Sequence, residues 1–155
     1  MTDEQCLFCR IVVGELSVEP LLATEHTLAV LNTLEPMSRG HVVFFPKRHA
    51  VKAHELPDEC LADLMAAVKR VAHALEVEDY NILSNNGAIA GQTVFHAHFH
   101  LIPKWSEDEG LRYDRTKRPE LDQREIERKL REALSISEAE GTHKRRRVGP
   151  GPCGV

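Results

Sequence analysis

The chain has 155 residues, of which 42% are hydrophobic and 28% are charged, and its formal net charge is −4 at pH 7. These values are typical of one globular domain with a core, and the negative charge argues against a general nucleic-acid-binding surface. The N-terminal residues carry no secretory pattern, and no apolar stretch reaches the roughly 18 residues that span a bilayer. We therefore expect a cytoplasmic protein without a membrane partner.

Hydrophobic patterning predicts strands around one long helix in the first hundred residues. Residues 10–45 are predicted to form strands with turns, including a hairpin in LLATEHTLAVLN and a short apolar strand in HVVFFPK. The long helix is predicted in LPDECLADLMAAVKRVAHALEVE, because its apolar residues recur at spacings of three and four. A strand, a glycine-punctuated loop and another strand follow in YNILSN, NGAIAGQ and TVFHAHFHLI. This order favours an α+β domain with a mainly antiparallel sheet.

One helix and a tail are predicted for the C-terminal part of the chain. A narrow apolar stripe predicts the helix over about residues 120–137, and its members are Leu121, Ile126, Leu130 and Leu134. Residues 138–155 are basic and rich in glycine and proline, so we expect a disordered tail. The HKRRR run could contact nucleic acid, but a solvated tail is the favoured interpretation. Residues 1–137 are therefore assigned to one domain.

The motif CLFC near the N-terminus carries Cys6 and Cys9. In a reducing cytoplasm these cysteines are expected to form a metal pair or remain free thiols, and a disulfide is disfavoured. A redox role is also disfavoured, because the motif is predicted to precede the first strand and not to open a helix. Two thiolates need two more ligands to close a tetrahedral zinc site.

The stretch QTVFHAHFHLIP places His96, His98 and His100 at alternate positions. On a strand these three imidazoles share one face, and the apolar partners Phe95, Ala97, Phe99 and Leu101 share the other, which is expected to face the core. Neighbouring imidazoles then stand roughly 6.6 Å apart and the outer two roughly 13 Å apart. All three cannot bind one ion unless the strand bends, so at least one histidine has another role.

Three interpretations of the alternating histidines remain open. They could be a polar or structural sheet face, a neighbouring pair could hold a catalytic zinc ion, or one neutral imidazole could attack phosphorus. The preceding loop, SNNGAIAGQTV, favours the third interpretation. Its glycines allow a backbone to approach an anion closely, and Asn85, Gln92 and Thr93 add side-chain groups that can hold phosphate oxygens.

The segment GQTVFHAHFHLIP resembles the signature of the histidine triad superfamily, His-φ-His-φ-His-φ-φ with φ apolar. The resemblance covers about residues 4–104, through CLFCRIVVGE, RGHVVFFPKRH and ILSNNG. It implies an α+β subunit with an antiparallel sheet, usually a homodimer. Such proteins bind purine nucleotides or nucleotide conjugates and cleave at the α-phosphorus.

The resemblance also implies roles for individual residues. His98 would be the nucleophile that forms a covalent nucleotidyl-imidazole, while His100 and His41 would contact the phosphate. Further substrate contacts are implied for Asn85, Gly91, Gln92 and Thr93, and for Thr33 near the ribose. A histidine at position 100, where nucleotide-transferring relatives carry glutamine, points to a hydrolase.

Zinc-bearing members of the superfamily complete a site like CLFC with two histidines. The positions that match are His49 and His96, so the implied ligand set is Cys6, Cys9, His49 and His96. The zinc ion would be structural, and His98 and His100 would remain available for phosphate.

Two functions from different classes follow. The first is a nucleotide hydrolase or phosphoramidase that releases a nucleoside monophosphate; the alternative is a nucleotide-sensing module that acts through a protein partner. A third option, hydrolysis by zinc-activated water, is weaker. Beyond residue 104, Trp105 or Tyr113 could cover a base or reach a partner subunit's site. An ordinary loop with a packed tryptophan is an equally weighted interpretation of this segment.

Overall fold

The computed structural model describes residues 3–112 and 122–140, with the side chains of residues 135–140 excepted. The chain divides into two compact units, up to residue 113 and from residue 114 onward, and each is described by itself. The regular elements are α1 (Leu7–Val12), β1 (Leu22–Ala23), β2 (Thr27–Leu31), β3 (Val42–Pro46), α2 (Asp58–Leu75), β4 (Tyr80–Leu83), β5 (Phe99–Pro103) and α3 (Arg124–Glu140). Short 3₁₀ turns lie at Ala53–Glu55 and Ala88–Ala90.

The five strands form one sheet in the order β1-β2-β3-β5-β4, and every neighbouring pair is antiparallel. The predicted hairpin is formed by β1 and β2, where Leu22 lies opposite Ala29. Strand β5 is central, because it pairs with β3 on one side and with β4 on the other. The predicted α+β class with an antiparallel sheet is confirmed.

Helix α2 covers one face of the sheet, as its apolar spacing predicts. Leu64, Val68 and Ala72 lie one turn apart and pack against Phe44 of β3 and Leu101 of β5. The helix begins after a proline, with acidic residues in its first turn, and both features favour a helix start. This layer fixes the orientation of β3 and β5, the two strands that flank the site.

Helix α1 packs on the opposite face, and the prediction of strands from residue 10 onward was wrong at residues 10–12. Residues 7–12 form a helix, and its Phe8 stacks on Phe45 of β3 with ring centroids 4.3 Å apart. The LFCRIV run is apolar enough to be compatible with a strand. It forms a helix because that conformation buries Phe8 and Cys9 against β3. Cys6 therefore caps a helix, and the argument that CLFC opens no helix fails.

The predicted strand TVFHAHFHLI is also shorter than expected. Strand β5 begins at Phe99, and residues 94–96 form a bend closed by a hydrogen bond from His96 N to Val94 O. The Ala97 N–H, just after the bend, donates to Ala50 O at 2.7 Å. Strand spacing consequently does not apply to His96 and His98, and Phe95 is 53% exposed instead of facing the core.

In the second unit, α3 begins at Arg124 and ends at Glu140, so the helix runs past the predicted end at residue 137 and into the predicted tail. Its described side chains are exposed, and ion pairs between residues four apart, such as Lys129 with Glu125, stabilise the helix surface. Tyr113, Leu121 and residues 141–155, which make up the rest of the predicted tail, lie outside the described residues. Among the described residues, none of the helices is both long and apolar enough to traverse a bilayer.

Candidate active site and metal centre

Four side chains from distant parts of the chain meet between α1 and the bend. The ligand atoms of Cys6, Cys9, His49 and His96 all lie within 4.8 Å of one another. Cys6 Sγ lies 3.4 Å from His96 Nδ1, and Cys9 Sγ lies 3.3 Å from His49 Nδ1 and 3.6 Å from His96 Nδ1. A tetrahedral zinc site with these donors has ligand–ligand edges of roughly 3.3–3.8 Å, and the three Sγ–Nδ1 distances fall in that range, so this donor set could hold zinc.

The protonation of His96 also suits a metal ligand. Its Nε2 lies 2.8 Å from Pro46 O, so Nε2–H donates there and Nδ1 presents its lone pair to the two thiols. Burial lowers the pKa of His96 to about 4, which keeps the ring neutral. Burial also raises the pKa of the Cys9 thiol, an environment in which a thiolate requires a nearby cation.

His98 follows the bend with one ring nitrogen fixed and the other free to act as a base or nucleophile. Its Nδ1 lies 2.7 Å from His96 O, and since a carbonyl oxygen only accepts, Nδ1 carries the hydrogen. The lone pair is therefore on Nε2. Burial lowers the pKa of His98, so the ring is neutral at pH 7. Phe8 holds the ring by an edge contact with centroids 5.2 Å apart.

A chain of hydrogen bonds fixes the tautomers of His41 and His100. The Met37 N–H donates to His41 Nδ1 at 3.1 Å, so His41 carries its hydrogen on Nε2. That Nε2 lies 2.9 Å from His100 Nδ1, which must accept. The remaining hydrogen of a neutral His100 is thus on its Nε2, where it is a donor.

The two rings are also held neutral by their surroundings. Burial, followed by the charges of His98 and His41, lowers the pKa of His100 to about 4, and burial lowers the pKa of His41. His100 lies beside His98 with ring centroids 5.0 Å apart. A lone pair on His98 and an N–H donor on His100 therefore occupy one small region, as attack on phosphorus requires.

The glycine loop before the bend is held in shape by Gln92, which is almost fully buried. Its Oε1 accepts from Gly87 N at 2.7 Å, and its Nε2 donates to Val51 O at 2.7 Å and to Val94 O at 3.0 Å. Both ends of the amide are therefore engaged inside the loop, and the structure places Gln92 as a support for the loop.

Other candidate substrate contacts lie on the surface of this region. Asn85 donates from Nδ2 to Gly91 O at 3.2 Å, and Gly91 has φ +84°, which glycine adopts without strain. Thr93 and Thr33 are exposed, at the end of the glycine loop and in the loop after β2.

Two contacts to His41 were not identified from the sequence. Asn32 has its Nδ2 at 3.3 Å from His41 Nδ1, and its Oδ1 accepts from the backbone N of Leu34 and Glu35 in a local turn. The Met37 N–H bond is a backbone contact and has no residue-type signal. The asparagine could have been found, because Asn often closes such turns at a strand end.

Comparisons with known proteins identify the family of this chain. The HIT domain family model matches residues 14–107. An adenosine 5′-monophosphoramidase of Schizosaccharomyces pombe is 49% identical over 106 residues, which cover 68% of this chain and 79% of that protein.

Two solved structures share the fold. A histidine triad nucleotide-binding protein from Candida albicans is 37% identical with a TM-score of 0.74, covering 88% of this chain and 99% of that one. A zinc-bound histidine triad family protein from Mycobacterium smegmatis is 33% identical with a TM-score of 0.61, covering 88% of this chain and 98% of that one. The chain belongs to the HIT domain family, as the histidine triad motif indicated.

Proposed function

We propose that this protein is a nucleoside phosphoramidate hydrolase that cleaves at the α-phosphorus through a covalent nucleotidyl-His98. The observation that carries the proposal is the tautomer of His98, whose Nδ1–H is held by His96 O at 2.7 Å and whose Nε2 lone pair is available. The activity named for the S. pombe relative supports this substrate class. Dinucleoside polyphosphates present the same α-phosphorus and are included as candidate substrates.

The chemistry proceeds in two displacements. The Nε2 lone pair of His98 forms a bond to phosphorus as the bond to the leaving amine breaks, and the amine departs with a proton taken up from the site or solvent. The positive charge that develops on the imidazole is stabilised by the Nδ1–H bond to His96 O. Water then attacks phosphorus and releases a proton to solvent, the P–Nε2 bond breaks, and the electron pair returns to His98 as the nucleoside monophosphate leaves.

The neighbouring histidines handle the phosphate charge in this proposal. His100, donating from Nε2, binds a non-bridging oxygen, and His41 holds His100 in that tautomer through the 2.9 Å bond. Asn85, Gly91 and Thr93 form the phosphate-facing part of the glycine loop, with Gln92 as its internal support. Thr33, exposed after β2, is the proposed ribose contact, and the base is a purine by analogy with the adenosine-specific name of the relative.

We further propose that Cys6, Cys9, His49 and His96 hold a structural zinc ion. The fit of their donor atoms to tetrahedral edges supports this, and so does the zinc-bound relative from M. smegmatis. When bound, the ion would neutralise the thiolates and tie α1 to the bend before β5. Four protein ligands leave no open position for water, which argues against the zinc-activated-water option. The reduced thiols suit a cytoplasmic location.

A homodimer is proposed from the exposed side of β4. This strand lies at the edge of the sheet, and its Tyr80 and Ile82 are 42% and 43% exposed. Ile82 lies opposite Leu101, on the face that α2 covers, and Met65 of α2 is also exposed. An edge strand with apolar side chains beside a helix suits a symmetric contact with a second copy.

The activity is tested by release of AMP from an adenosine phosphoramidate by the full-length protein. Wild type is expected to turn over, and His98→Asn is expected to lose turnover while keeping its thermal midpoint. His73→Asn, at an exposed position near the end of α2, is the matched control and should keep wild-type turnover. Tight AMP binding without turnover by wild type would reject the enzyme and favour the nucleotide-sensing module.

A further inference from the structure

The segment after β5 folds back onto the loop that precedes β3 and holds Arg39 there. Glu109 Oε1 accepts from Arg39 backbone N at 2.7 Å and from Arg39 Nε at 3.2 Å, and Oε2 accepts from Nη2 at 3.2 Å. Trp105 Nε1–H donates to Arg39 O at 2.9 Å, and the guanidinium lies 5.7 Å from the centre of the indole. Both the backbone and the side chain of Arg39 are therefore bound by this segment.

Gly110 extends the contact to Met37, whose backbone also binds His41. The Gly110 N–H donates to Met37 O at 3.1 Å, and the Met37 N–H donates to His41 Nδ1 at 3.1 Å. Gly110 has φ +89°, and a Cβ at this position would lie 2.9 Å from Pro103 O, so glycine is required for the return of the chain. Met37 thus connects the segment after β5 to the ring of His41.

The hydrogen on His41 decides what His100 can do. With Met37 N–H on Nδ1, His41 donates from Nε2 to His100 Nδ1, and His100 keeps a donor on its own Nε2. If Met37 withdraws, the longer contact from Asn32 Nδ2, at 3.3 Å, is the donor left at Nδ1, and His41 can carry its hydrogen on Nδ1 only if this contact is also given up. Its Nε2 then becomes an acceptor, His100 must donate from Nδ1, and His100 Nε2 has only a lone pair to offer to a phosphate oxygen.

We infer that Trp105, Glu109 and Gly110 are positioning residues, which fix the loop of residues 37–40 and thereby hold His41 in the tautomer with hydrogen on Nε2. The inference rests on the proposed function, because the tautomer matters through the donor that His100 offers to phosphate. The side chain of Arg39 is 78% exposed, and exposed ion pairs add little to folding stability. For a change at Glu109, the effect is therefore expected in the geometry of the histidine pair and not in the thermal midpoint.

Glu109→Ala tests the inference, with Gly110→Ala as a second route to the same loop. Asp108→Ala is the matched control, because Asp108 is a carboxylate of the same segment that pairs with Arg112 at 3.0 Å instead of Arg39. Imidazole ¹⁵N–¹H correlation spectra of the full chain report the tautomer of His41. Turnover of adenosine phosphoramidate reports kcat and KM separately.

In Glu109→Ala we expect His41 to populate both tautomers and kcat to fall about five-fold, with KM changed by less than about two-fold. Asp108→Ala should match wild type in both readouts. The inference is overturned if both loop variants keep the wild-type tautomer and kcat, or if Asp108→Ala reproduces their effect. The proposed function can fail separately. If the wild-type protein turns over no substrate but the variants still change the tautomer of His41, the proposed function is rejected and the positioning role of Glu109 is retained.

Discussion

The backbone carbonyl of His96 accepts the Nδ1–H of His98 at 2.7 Å, so the residue whose Nδ1 faces the thiols of Cys6 and Cys9 also orients the ring of His98. His96 is held from the other side by Pro46 O, at the end of β3. The position of His98, the proposed nucleophile, therefore depends on the same residue whose ring lies between α1 and β3. Loss of the metal ligands is expected to disturb both folding and chemistry.

Cys9→Ala tests this dependence. Removal of one of four ligands should release bound zinc and cost about 2 kcal/mol or more of unfolding free energy, because metal-binding energy is part of folding energy. Turnover should decline as His96 and His98 lose their fixed orientation. Zinc content by elemental analysis, calorimetry and turnover measure the three effects.

Cys60→Ala is the control for Cys9→Ala. Cys60 is also buried, but it packs with Ala50, Leu56 and Ala97, and its thiol is not one of the four clustered donors. This variant should retain zinc while losing a little stability from the small cavity. Equal zinc content in Cys9→Ala and wild type would show that the ligand set is wrong.

Gln92→Ala is predicted to loosen the glycine loop. The substitution leaves Gly87 N–H and Val51 O without their side-chain partner, while Val94 O keeps its bond from His96 N. Each buried group that is left unpaired costs about 1–3 kcal/mol. KM for a phosphoramidate should rise because the loop no longer has one shape. Gln92→Glu keeps the acceptor for Gly87 but sets a carboxylate oxygen against Val51 O and Val94 O, so its KM should rise at least as much as that of Gln92→Ala. A wild-type KM in both variants would show that Gln92 does not support the substrate-binding shape of the glycine loop.

Asp63 is predicted to make stability depend on pH. Burial acts to raise its pKa, but hydrogen bonds from Thr24, at 2.5 Å, and Thr27, at 2.7 Å, outweigh burial and lower it. A lowered folded pKa gives stability that is present above the unfolded pKa of about 3.9 and is lost as pH falls through the folded value.

Denaturation of Asp63→Asn from pH 7 to pH 3 measures this contribution. The variant should be about 1–2 kcal/mol less stable at pH 7, since it replaces a charged acceptor of two hydroxyls. The difference from wild type should shrink toward pH 3. Glu59→Gln, exposed on the same helix, should show no such convergence, and a constant difference for Asp63→Asn would contradict the assignment.

The sequence predicts the elements whose periodicity reflects burial on one face. The stripe of Leu64, Val68 and Ala72 identifies α2, and the apolar run of β3 identifies a strand buried on both sides. The local sequence pattern does not predict the structure at residues 7–12 and 94–98. Packing against β3 determines the first segment, and the hydrogen bond from Ala97 N to Ala50 O determines the second.

At the site, motif spacing predicts which side chains meet but not how they are hydrogen-bonded. The clustering of Cys6 and Cys9 with His49 and His96 follows the resemblance. The tautomers of His41 and His98 could not be predicted in this way, because they are set by the backbone groups Met37 N and His96 O, which any residue could supply. Gln92 illustrates the same limit, since its amide could equally face a phosphate or, as it does, the loop itself.

The central claim is tested most directly by the site of the covalent adduct. Full-length protein is mixed with a slowly hydrolysed adenosine phosphoramidate, quenched at alkaline pH, and examined by intact and tandem mass spectrometry. We predict one adenylyl group per chain, bonded to His98, that accumulates before AMP release and is absent in His98→Asn. An adduct on His100 or His41, or full turnover with no adduct at any time, would contradict the account.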